Sequence, residues 1–79
     1  MNKPYSFKQF LHDEGNDHML KDIALYRKYD RIKKRATLFI PAMENEQAEI
    51  FNKVNHLHFS YQIECAKRGT TPEKLGSIL

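Results

Sequence analysis

A mainly α, small single-domain helical bundle with a long central helix and a short extended link is predicted for residues 1–79. Three observations predict it. Large residues recur at helical spacing through one long stretch, a second stretch repeats that spacing with its charges segregated, and only one short segment is β-branched and aromatic. The long stretch, Glu44 to Arg68, is the element the others must pack against. Its large residues fall at Met43, Ile50, Phe51, Val54, Leu57, His58, Tyr61 and Cys65, which gives the rod one dry side. About 25 residues at 1.5 Å each make a helix of roughly 37 Å.

The elements follow in order. Ser6 is placed to cap a first helix through His12, with Phe7, Phe10 and Leu11 as its apolar face. Residues 13–17 read as an acidic turn in which Gly15 and Asn16 tolerate left-handed backbone angles. Asn16 or Asp17 then caps a second helix to Lys34, with Met19, Ile23, Leu25, Tyr26, Tyr29 and Ile32 on its dry side. Asp17–Lys21 and Asp30–Lys34 are spaced to pair along it. Ala36 to Ile40 reads as an extended linker packed on the core, stopped by Pro41, because no second strand exists to pair with it. Gly69 ends the central helix. A short last helix restarts either with Thr71 as cap and Pro72 as first residue, or with a Thr70–Glu73 capping box, and Leu75, Ile78 and Leu79 form its apolar side.

Composition narrows the class. A chain of 79 residues buries only about 60–65% of its unfolded surface, so its core is marginal and a partner subunit would help. A single cysteine, Cys65, excludes an internal disulfide and favours a reducing compartment. The N-terminus lacks the apolar run of a signal peptide and no stretch reaches membrane-spanning length, so a cytoplasmic protein without a membrane partner is expected. The net charge of +3 is unevenly spread. Residues 21–35 carry seven Lys/Arg against Asp22 and Asp30, whereas the segments on either side are each slightly acidic.

That cationic stretch is the candidate site. Lys21, Arg27, Lys28, Arg31, Lys34 and Arg35 spread over the wet side of the second helix, where they would neutralise the phosphates of a nucleic acid, duplex DNA first. An acidic protein surface has the same requirement, and a solvated helix face is the plain alternative. A second candidate is the strip Phe59, Ile63 and Ala66, extended by Ala48, displaced from the main dry side of the central helix. It is covered by the short terminal helices, or it is a homodimer seam or a docking site for a partner protein.

Two local resemblances point the same way as the charge. The tail from Cys65 to Leu79, with its turn Gly69, polar cap and apolar Leu75 and Ile78, resembles a helix-turn-helix. That resemblance implies a second helix entering the major groove. Gly76 inside that helix and Glu73 beside the phosphates depart from the pattern, and a terminal helix docked on the core is the preferred reading. The segment Lys33 to Pro41 resembles the start of a ribbon-helix-helix protein, which implies paired strands with Arg35, Thr37 and Phe39 on DNA and Ala36, Leu38 and Ile40 on the core. The single long helix that follows departs from that family's two short ones.

No catalytic site, cofactor or metal is expected. A Gly-rich phosphate cradle and a nucleophilic elbow are both missing from the residues. His58 and Cys65 share the dry side but lie roughly 10 Å apart along the axis. His56 and His58 point apart, and His12 and His18 flank an acidic turn that reads as a turn. The expected function is therefore a small non-enzymatic DNA-associated regulator holding phosphates on a basic helix face. The competing expectation is an adaptor or inhibitor that uses the Phe59 strip.

Overall fold

The computed structural model describes residues 4–37 and 39–79. Among these residues four helices follow one another: α1 (Phe7–Asp13), α2 (Met19–Ala36), α3 (Pro41–Arg68) and α4 (Leu75–Ile78). Among the described residues there is no strand. The small helical domain with a long central helix is what the periodicity predicts. α3 is longer than expected because Pro41 opens it, at the first position, where the missing N–H costs nothing.

α2 and α3 form an antiparallel hairpin, and α1 and α4 cover only the half of it farthest from Thr37 and Pro41. The molecule is consequently elongated, 45 × 21 × 16 Å. This shape decides which apolar residues are dry. Met19 and Ile23 at the covered end of α2 are buried, whereas Leu25, Tyr26, Tyr29 and Ile32, expected on the dry side, are only half-buried.

The core is an aromatic cluster around Tyr61, which is fully buried. Its ring centroid lies 5.2 Å from that of Phe7, 5.5 Å from Phe10 and 5.7 Å from His58. Its hydroxyl donates to the Tyr5 carbonyl and accepts the Glu73 N–H at 3.0 Å. One phenol thus ties the segments before α1 and before α4 to the middle of the domain. Burial pushes the Tyr61 phenol up to about 12 from 10.0. Burial, with a 2.6 Å hydrogen bond to Asp13, does the same to Tyr5. Both phenols favour the neutral form in the fold, so their stabilisation is complete below pH 10 and is lost as pH rises from about 10 towards 12. A phenolate absorbance titration should show two tyrosines ionising only as the far-UV helical signal collapses. Tyr5→Phe should remove one of them.

The helix ends confirm some caps and correct others. Ser6 Oγ accepts the Gln9 N–H at 3.1 Å as expected. Gly15 (φ 72°) and Gly69 (φ 70°) both end helices in the left-handed region. Each is followed by an N–H reaching back five residues, Asn16 to Leu11 and Thr70 to Cys65. Asn16 and Asp17 do not cap α2: it begins at Met19 after His18, which makes no side-chain cap bond. Asp17 turns instead to His12 Nδ1 at 3.2 Å, so the expected Asp17–Lys21 pair is not formed. Asp30–Lys34 is formed, at 3.1 Å.

The 36–40 link is the larger correction. Ala36 is still helical, and Thr37 stops α2 by taking a left-handed φ of 49°. Phe39 is 73% exposed and Ile40 38%, so these two residues do not pack on the core; the covering elements sit at the opposite end of the hairpin. Leu38, assigned a core-facing role in the ribbon-helix-helix resemblance, lies outside the described residues. The tail also departs from expectation. α4 has four residues and starts only at Leu75, with neither Thr70 nor Thr71 as its cap. Glu73 caps a different helix: its Oε1 accepts the Phe7 N–H at 2.7 Å, closing the start of α1. The major-groove helix implied by the helix-turn-helix resemblance is therefore absent from the described tail.

Candidate nucleic-acid interface

α2 places its cations by helical geometry. Lys21, Lys28 and Arg35 recur every seven residues, about 10.5 Å apart along the axis, and Arg31 falls between the last two. All four side chains are exposed. None of them forms a hydrogen bond or ion pair with another described residue. The opposite side of α2 is held down by α3, so the stripe is presented on a packed, straight support.

The remaining basic residues of the segment have partners. Lys33, at the border with α3, bonds Glu44 at 2.7 Å and Gln47 Oε1 at 3.0 Å. The Glu44 hydrogen bond raises its ammonium above the ordinary lysine value. Gln47 is itself buried and donates to the Tyr26 carbonyl at 3.0 Å, so Lys33 belongs to the α2–α3 joint. Lys34 pairs with Asp30, but both ends are solvated, and such pairs are worth only a few tenths of a kcal/mol. A phosphate can therefore still recruit Lys34.

Arg27 is different. Its Nη2 donates to the Ile78 carbonyl, fixing the end of α4 to α2. Arg27→Ala should cost about 1–2 kcal/mol in chemical denaturation, the low end for a charged hydrogen bond because Arg27 is exposed. It should leave the salt dependence of any anion binding unchanged. The spacing that put Arg27 among the cations could not show this, because its partner lies 51 residues away.

The second candidate strip is uncovered. Phe59 is 66% exposed, Ile63 48%, and Ala66 is exposed, since α1 and α4 sit against other sides of α3. The histidines resolve into structure. His58 is buried and bonds the Glu73 carbonyl at 2.7 Å, and because a carbonyl only accepts, Nε2 carries the proton. Asp13 is occupied by Tyr5 and Gln9, and the Tyr5 hydrogen bond is the main cause holding its carboxyl below the usual range. Among the described residues, no three of His, Cys, Asp and Glu are grouped to hold a metal ion. Among the described residues no helix is long and apolar enough to cross a membrane.

Three placements were not foreseen: Gln47 in the joint, Glu73 at the start of α1 and Phe39 at the bend. Gln47 could have been read from its spacing, four after Met43 and three before Ile50 on the dry side. Comparison with protein-family models, with curated proteins and with solved structures finds no match, so the cationic stripe stands on its own geometry.

Proposed function

We propose that this chain is a small, non-enzymatic DNA-associated regulator that grips the phosphate backbone along α2. One observation carries the reading: Lys21, Lys28, Arg31 and Arg35 line one exposed face of a helix without acidic partners. Cations left unneutralised on a rigid support suit a polyanion whose charges repeat along a line. Contacts of this kind set position and affinity with little base discrimination.

The test is an anisotropy titration with duplex DNA at several salt concentrations. Four to five phosphate contacts give a slope of about −4 in log affinity against log salt, or roughly 250-fold weakening between 50 and 200 mM. A slope near zero would remove the assignment. A second reading, an adaptor or inhibitor that docks a partner protein, is favoured by the 66% exposure of Phe59 beside Ile63 and Ala66. Binding that survives neutralisation of the stripe would select it.

A further inference from the structure

We infer that a second copy of this chain docks on the exposed stripe of α3, forming an antiparallel, two-fold symmetric dimer. The stripe is Asn45, Ala48, Asn52, Asn55, Phe59 and Gln62, which recur at intervals of three and four, the seam spacing of a coiled coil. All six are exposed, and in a chain that is 29% charged none of them carries a charge. The amides of Asn45, Asn52, Asn55 and Gln62 make no side-chain hydrogen bond to any described residue. Solvated faces elsewhere on α3 carry Glu46, Glu49, Lys53 and Lys67. Depletion of charge around a protruding aromatic marks the centre of an interface rather than a wet face.

The order of the residues names the occupant. A two-fold interface must be self-complementary, each residue meeting one that meets it in return. With two α3 helices antiparallel and centred between Lys53 and Val54, Asn45 lies opposite Gln62 of the partner subunit. In the same register Ala48 lies opposite Phe59 of the partner subunit, and Asn52 opposite Asn55 of the partner subunit. Every layer then matches amide with amide or large with small, over about 26 Å of helix. Parallel pairing would instead set Phe59 against Phe59 of the partner subunit and Ala48 against Ala48 of the partner subunit, crowding one layer and leaving a gap in the other. Phe51, 40% exposed, and Ile63 flank the seam on either side. One helix pair of this length is at the low end of interface sizes, so the dimer is expected to dissociate in the micromolar range. None of these residues lies on α2, and the inference does not rest on the polyanion reading.

Sedimentation equilibrium of the full chain from about 1 to about 300 µM spans that range. The mass should rise from 9.4 kDa towards twice that value. Phe59→Glu should hold the chain at the monomer mass throughout while its helical signal is unchanged, because Phe59 is already 66% exposed in the single chain. Mixed N45C and Q62C chains should form a disulfide between the two positions, and N45C alone should not cross-link to itself. A monomer at the highest concentration would overturn the proposal, leaving the stripe to a foreign protein. So would a dimer insensitive to Phe59→Glu, or self-linkage of N45C.

Discussion

Tyr61→Phe is expected to destabilise the fold by about 3 kcal/mol, because the lost hydroxyl leaves two backbone groups without their partner. The phenylalanine ring keeps its place against Phe7, Phe10 and His58, so packing is preserved and the cost isolates the oxygen. What is lost is the strong donor to the Tyr5 carbonyl, which keeps only the weak Cys65 thiol at 4.0 Å, and the acceptor of the Glu73 N–H. Each orphaned group costs roughly 1–3 kcal/mol where water cannot reach it. A domain of this size has only about 4–12 kcal/mol of stability in total. The melting temperature should accordingly fall by about 15 °C. A loss under about 1 kcal/mol in chemical denaturation would show that the hydroxyl is not the joint between the two ends.

Reversing charge on α2 has the largest expected effect on binding. Lys28→Glu with Arg31→Glu removes two cations from the middle of the stripe and places two anions there. Affinity for duplex DNA at low salt should drop at least 100-fold, and the salt slope should flatten by about two units or more. Both residues are exposed and unpaired, so the unfolding free energy should move by less than about 0.5 kcal/mol. Unchanged affinity in a folded double variant would remove the stripe from any account of function. Arg27→Ala is the contrasting control, with altered stability and unaltered slope.

Helical spacing made α1, α2 and α3 readable, together with the stops at Gly15 and Gly69, because these depend on neighbours within one turn. Ser6 is a cap by the same local logic. The failures share a physical cause. Glu73 was assigned to its own short helix, yet its carboxylate found the Phe7 N–H, 66 residues away in sequence. Asp17 left the head of α2 for His12. Leu25, Tyr29 and Ile32 have the right period for a dry side, but period says nothing about which half of a hairpin the terminal helices cover. The candidate site divides on the same line. The exposure of Lys21, Lys28, Arg31 and Arg35 follows from their position on the helix, whereas the engagement of Arg27 and Lys33 required the tertiary arrangement.

The capping of α1 by Glu73 sets an order on how the chain is made. Translation delivers Phe7 and Tyr61 before Glu73, so the Phe7 amide awaits the Glu73 carboxylate and the Tyr61 phenol awaits the Glu73 N–H. A chain halted before residue 73 would keep the Ser6 cap of α1 but lack the partner of the Phe7 N–H, and loop closure over so long a span comes late. The cationic stripe, being local to α2, depends on none of these late contacts.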